Sequence, residues 1–274
     1  MGKIEPTTER ELQLFHGLDI KERSIDFGRP LDIKEDDNDP GVVDDISVGI
    51  AIRQIKFLLS INKDPISIYM SSPGGDIYAM LRFIDFIKSC PCTIKFYGSG
   101  RIMSAGSLIM VSCDERYVSE NTAILIHDGY GDMGTVTPTD ESIEHKETIR
   151  IKNISNKIFS ENTIMPEEYW GEVCKRDTII TPEEAIVLGM VDEIIPSKKD
   201  SEYSKKKQIN LGIKRNKKIL EATINKIYDR IESPLKNKQT KQIKRKDFEG
   251  SEVDDAIKGT LWEELLSASQ KIKK

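Results

Sequence analysis

A chain of 274 residues and 31.1 kDa is long enough to bury one substantial core in one or two domains. With 38% hydrophobic against 32% charged residues, and no apolar run near the roughly 20 residues of a bilayer span, its composition argues for a soluble protein and against a membrane-spanning one. The net charge of −5 conceals a division, since residues 1–197 hold 20 Lys+Arg against 34 Asp+Glu (−14) and residues 198–274 hold 21 against 12 (+9). The break near Pro196 sets three expected parts: an N-terminal arm with an acidic loop (1–45), a core (46–197), and a basic, mostly helical or partly disordered C-terminal extension (198–274).

The N-terminus has no apolar stretch of a secretory signal, and Pro6 stands where a myristoylation motif needs Ser or Thr. Cys90, Cys92, Cys113 and Cys174 have neither disulfide-framework nor zinc spacing and are read as reduced thiols, which points to the cytosol. Residues 1–45 read as a polar, acidic arm with at most short strands around Ile20–Phe27 and an acidic loop at Lys34–Gly41. Val48, Ile52, Ile55 and Leu58 recur at helical spacing and predict a helix over Asp45–Asn62. Ile66–Met70 alternates as a strand and runs into Ser71-Ser72-Pro73-Gly74-Gly75. Ile77, Met80, Leu81, Ile84 and Ile87 then mark an amphipathic helix.

Thr93–Tyr97 predicts the next strand, followed by a glycine-flanked turn, Gly98-Ser99-Gly100, that leads to Ser104 and a buried helix. Arg116–Val118 and Ala123–His127 read as further strands, the second ending on a histidine. A long helix is expected from Pro138 to about Ile164, a mixed segment over Met165–Asp177, a helix started by Thr181 as N-cap with Pro182 at its first position, and a last strand at Met190–Ile195. The alternation of strand and helix implies right-handed crossovers and a largely parallel sheet of buried strands. In the extension, Leu220, Ile224, Ile227 and Ile231 form one helical stripe, and Ile257–Ile272 predicts a second helix.

Three features fall at strand ends or loop edges, where ligands gather in parallel α/β sheets: the Gly74-Gly75 turn, Ser104 and His127. A serine hydroxyl needs a neighbouring base, and that base needs an orienting carboxylate. His127 is the preferred base, because His16 lies in the polar arm and His145 on a charged helix face. Asp177 is the preferred third member, with Asp128, Asp132 and Asp192 as alternatives. The Gly74-Gly75 pair suits an oxyanion hole, since glycine lets an amide approach a reacting carbonyl unhindered, and the Ala105 amide would supply the second donor. A serine at a helix start is, by itself, as well explained as a helix cap.

These residues resemble the Clp protease proteolytic subunit family, ClpP. Ser71–Gly75 resembles the family's NSPGG turn, Met103-Ser104-Ala105-Gly106 its nucleophile turn, and Ile124–His127 its strand-end IMIH. Arg176-Asp177, Thr181–Ala185 and Leu188–Asp192 resemble its last conserved stretch; the likeness spans roughly Ile20–Ile195 with every motif in family order. The resemblance implies the α/β fold of the ClpP/crotonase type, built of repeated ββα units with a long handle helix at Ile143–Ile158 that joins two rings, plus the basic helical extension. It implies Ser104 as nucleophile, His127 as general base and then acid, Asp177 as its orienter, and Gly75 and Ala105 as oxyanion donors. It further implies unfolded protein substrates, seven-membered homo-oligomeric rings paired into a chamber, and an AAA+ unfoldase as partner that binds the ATP, with neither metal nor cofactor in this chain.

The chain departs from the family's pattern at Arg101 and Met103, at Asp128-Gly129, which replaces Gln-Pro, and in the acidic loop and basic tail. The tail's lysines are interleaved with few aromatics, so a solvated helical appendage is preferred to a nucleic-acid surface. Three other readings remain open from sequence: a phage capsid-maturation protease of the same type, a catalytically silent ring subunit, and a crotonase-type acyl-CoA enzyme.

Overall fold

Thr8 and Glu11 form the first local structure: the Thr8 hydroxyl accepts from the Glu11 N–H while the Glu11 carboxylate accepts from the Thr8 N–H. This capping box starts α1 (Glu9–His16), which Gly17 ends in the left-handed region at φ 63°. The structure is a computed structural model that describes residues 8–28, 41–129, 138–196 and 217–236, with backbone only at 138–142, 217, 218 and 232–236. Part of the expected arm is therefore helical. The apolar period gave no sign of α1 because the helix buries none of its residues, and the sequence signal was the Thr-x-x-Glu box. The acidic loop before Gly41, Asp132 and the expected helix at Ile257–Ile272 lie outside the described residues.

The chain continues through β1 (Leu18–Asp19), β2 (Ser24–Asp26), α2 (Asp45–Ile61), β3 (Ile66–Ser72), α3 (Ile77–Lys88), β4 (Ile94–Met103), α4 (Ala105–Val111), β5 (Glu115–Ser119) and β6 (Ala123–Ile126). Then follow α5 (Pro138–Asn162), α6 (Glu167–Val173), β7 (Thr178–Ile180), α7 (Pro182–Val187), β8 (Glu193–Ile195) and α8 (Lys217–Lys236). Asp44 caps α2, Asp76 caps α3 and Thr181 caps α7, each accepting from the backbone N–H three residues on. The mixed segment after Met165 resolves into α6 and β7. β7 has only three residues, too few for a period to show.

Among the described residues, eight strands form one sheet, ordered β1-β2-β3-β4-β5-β8, with β6 paired to β4 and β7 to β6. The pairings are parallel except β1 with β2 and β6 with β7. The expected Gly98–Gly100 turn is instead part of β4. Met70 pairs with Gly98 and Ser72 with Ile102, so β4 carries extra residues as a bulge, with Gly100 at φ 66°. The bulge re-aims the strand: Lys95–Gly98 pair with β5, whereas Arg101–Met103 pair with β6. One strand thereby serves two parts of the sheet and delivers Ser104 where they meet.

Strand burial also differs from expectation. In β3, Ile66, Ile68, Met70 and Ser72 point into the core while Tyr69 remains 45% exposed. Tyr69, Tyr97 and Tyr117 stack across the outer face of β3, β4 and β5 with ring centroids 4.9 Å apart. That face is left open by the helices, whose buried residues (Val48, Ile55 and Leu58 of α2; Met80, Phe83 and Ile84 of α3) join Ile25, Ile68 and Phe96 in the core. A second buried group lies under α6, where Trp170 stacks on Phe159 and donates to Thr163 Oγ1 at 3.1 Å. Two compact units divide the chain between Ile231 and Glu232; of the second, the backbone of 232–236 is described.

Candidate active site

Ser104 stands between β4 and α4 with φ 51° and ψ −119°, a backbone conformation that side-chain-bearing residues rarely adopt. The strain is held in place by its neighbours. Its N–H donates to the Leu125 carbonyl at 2.8 Å, and its carbonyl accepts from the Ser107 N–H (2.9 Å) and hydroxyl (2.6 Å). The Ser104 side chain makes no capping bond to α4, so the helix-cap reading fails on geometry. Its Oγ lies 2.6 Å from His127 Nε2.

Strand register brings the other members to the serine. β4 and β6 are parallel with Ile102 opposite Ile124 and Met103 opposite Leu125, which sets Ser104 beside the end of β6, where His127 follows. β6 and β7 are antiparallel with Ile126 opposite Thr178, so the next position outward on each strand pairs His127 with Asp177. His127 Nδ1 is 3.2 Å from Asp177 Oδ1. The histidine side chain is 12% exposed and the aspartate 55%. Ser104, His127 and Asp177 therefore form one continuous chain of contacts.

The alternative carboxylates that are described point elsewhere. Asp192 is engaged by Arg116 at 2.9 and 3.0 Å. Asp128 directly follows His127, but its Oδ2 lies 2.5 Å from Lys152 Nζ on α5, and its N–H donates to the Cys174 carbonyl at 2.7 Å. The Asp128–Lys152 pair, which no sequence pattern announced, anchors the residue after the histidine to α5. Of the remaining histidines, His145 is exposed on α5 and His16 ends α1. Cys174 is no competing nucleophile: burial, with Asp128 nearby, pushes its thiol up to about 12.

The glycine pair lies against the serine turn. A Cβ on Gly74 (φ 97°) would sit 2.7 Å from Ser104 Cβ and 3.3 Å from the Ala105 nitrogen. A Cβ on Gly75 (φ 148°) would sit 2.2 Å from the Val43 carbonyl oxygen. Val43 was missed in sequence because it follows the acidic loop. Its N–H donates to the Gly74 carbonyl at 2.8 Å and its carbonyl accepts from the Asp76 N–H at 2.7 Å, pinning the turn. The Gly75 and Ala105 amides have no acceptor among the described residues, and Ala105 is the first residue of α4, where no intrahelical partner exists. Among the described residues, no group of three or more His, Cys, Asp or Glu side chains is placed to hold a metal ion.

Known proteins share both the sequence and the architecture. The family model described as Clp protease matches residues 40–198. The ATP-dependent Clp protease proteolytic subunit 2 of Pseudomonas aeruginosa is 32% identical over 162 residues, covering 58% of this chain and 80% of that protein. The corresponding subunit of Bdellovibrio bacteriovorus is 32% identical over 205 residues, covering 72% of this chain and 90% of that protein. Among solved structures, a ClpP1 mutant from Listeria monocytogenes superposes with a TM-score of 0.56 at 28% identity, covering 65% of this chain and 94% of its own. On the family match and these likenesses, the chain belongs to the Clp protease family as a divergent, ClpP-like protease subunit.

Proposed function

We propose that this chain is a serine endopeptidase that hydrolyses peptide bonds of unfolded polypeptide through Ser104, His127 and Asp177. The observation that carries the reading is the 2.6 Å contact between Ser104 Oγ and His127 Nε2, made by a serine whose strained backbone aims the hydroxyl away from its own helix. With the serine O–H donating to Nε2, the imidazole proton resides on Nδ1 and donates to Asp177. Attack by Oγ on a peptide carbonyl transfers the hydroxyl proton to Nε2, and the Asp177 carboxylate stabilises the imidazolium. The carbonyl oxygen becomes an oxyanion facing the Gly75 and Ala105 amides. Collapse breaks the C–N bond, His127 returns the proton to the leaving amine, and water activated by the same imidazole hydrolyses the acyl-serine.

The family relationship supports an assembly of this subunit into a homo-oligomeric ring with a chamber, and an ATP-driven unfoldase as the partner that delivers substrate. α5 supports its expected role as the handle between rings, since it exposes Ile143 and Ile149 to solvent. A cytoplasmic setting belongs to the same reading, supported by four cysteines that are all free thiols. The test is cleavage of casein and of a small activated acyl-peptide by the parent and Ser104→Ala, with covalent labelling by a fluorophosphonate. The expected result is labelling and turnover in the parent and neither in Ser104→Ala. Equal turnover in both proteins overturns the assignment, and acyl-CoA binding without labelling replaces it with a crotonase-type activity.

A further inference from the structure

The family match ends at residue 198, yet α8 beyond it is built into the part of the core that carries Asp177. Leu220 and Ile227 of α8 are buried, Ile227 completely. Tyr228 meets Tyr169 of α6 edge to face, with ring centroids 6.1 Å apart, and burial pushes its hydroxyl up to about 12. Arg230 Nη2 lies 2.8 Å from Glu184 Oε2 and Lys226 Nζ lies 3.3 Å from Oε1; the Glu184 side chain, on α7, is only 5% exposed. Tyr169 precedes Asp177 in the chain and Glu184 follows it, so α8 grips both flanks of the segment that presents the carboxylate.

That segment is held at its two ends: the Cys174 carbonyl accepts from the Asp128 N–H, the Thr178 hydroxyl donates to the Val173 and Arg176 carbonyls, and β7 pairs with β6. Lys175, Arg176 and Asp177 are exposed, and only Cys174 and Thr178 on either side are buried. The β6–β7 register sets Asp177 opposite His127, and β7 is flanked in the chain by α6 and α7, so the packing of these two helices bears on that position. α6 is fixed on one side by the stacking of Trp170 on Phe159 of α5, and on another by α8. α7 begins with the Thr181–Glu184 capping box, whose glutamate is the residue that Arg230 and Lys226 engage.

We propose that Lys226, Tyr228 and Arg230 are positioning residues for the catalytic step: α8 clamps α6 to α7 and so holds Asp177 within hydrogen-bond reach of His127. This rests on the reading that Asp177 orients the imidazole. The basic extension is then a working part of the peptidase, and a chain ending where the family match ends would lack this brace.

The test uses the full chain and compares Lys226→Met/Arg230→Met with Arg230→Lys, in both the parent and an Asp177→Asn background. Turnover of the small activated acyl-peptide and the rate of fluorophosphonate labelling are measured, with circular dichroism as the check on folding. In the parent background the double substitution is expected to lower kcat by about 10- to 100-fold with little change in KM, because a small displacement of a catalytic group is costly. Arg230→Lys is expected to retain most of the activity. In the Asp177→Asn background the same double substitution is expected to change labelling by less than about twofold, since the group it positions is gone. An equal loss in both backgrounds, or no loss in a folded variant, overturns the proposal. Should the double variant fail to fold, Tyr228→Leu, which removes the ring contact and keeps an apolar side chain, carries the same comparison. Asp177→Asn alone keeping the parental kcat would identify the role given to Asp177 as the point of failure, independently of α8.

Discussion

At the scale of single residues, the weakest link of the candidate triad is its aspartate, 55% exposed and 3.2 Å from the histidine, against a serine–histidine contact of 2.6 Å. Asp177→Asn leaves the shape intact but removes the charge that, in the proposed mechanism, stabilises the imidazolium. A fall in kcat on the order of 10²–10⁴ is expected, measured as steady-state turnover with Ser104 still labelling slowly. Gly75→Ala tests the proposed oxyanion role of the Gly74-Gly75 turn differently. The new methyl would meet the Val43 carbonyl oxygen at 2.2 Å, so the turn must move and take the Gly75 amide with it. A loss on the order of 10²–10³ in kcat is expected, the cost of one misplaced donor. Parental turnover in Gly75→Ala would exclude that amide from the site.

At the scale of elements, α7 and α8 share a charge cluster whose pH behaviour follows from its sign. Burial pushes the Glu184 carboxyl up, but the Thr181 N–H and the Arg230 and Lys226 cations outweigh it and hold the group below its ordinary value of 4.5. A carboxylate with a depressed folded pKa stabilises the protein above its unfolded value and loses that contribution as pH falls through the folded one. The parent should therefore lose stability on acidification below about pH 4.5, and Glu184→Gln should flatten that slope while being less stable at neutral pH. Urea unfolding midpoints of the two proteins across this range make the comparison. β4 is the other decisive element. Its bulge at Ser99–Arg101 redirects the strand from β5 to β6, and without it Ser104 would not reach the strand that His127 follows.

At the scale of the whole molecule, the tyrosine face, the exposed isoleucines of α5 and the family relationship are the observations that support the proposed assembly. Native mass measurement should report multiples of 31.1 kDa, with sevenfold species as the expected ring. A 31.1 kDa monomer with full activity on a stably folded protein and on casein alike would remove the chamber from the proposed function.

The sequence by itself determined the amphipathic helices α2, α3 and α7, whose apolar spacing or capping residues act over a few neighbours. It also marked Ser104, His127 and Asp177 as the candidate site residues through motifs in one order, because chemistry demands particular residue types at strand ends. Short or solvated elements escaped: α1 buries nothing, and β7 is too brief to show a period. Only the tertiary structure decided that the glycines after Tyr97 bend a continuous strand and that Val43 pins the Gly74-Gly75 turn. It likewise joined Asp128 to Lys152 and α8 to the flanks of Asp177. Each of these depends on which distant segment arrives to make the partner, and register and side-chain packing across the sheet, not local propensity, set that meeting.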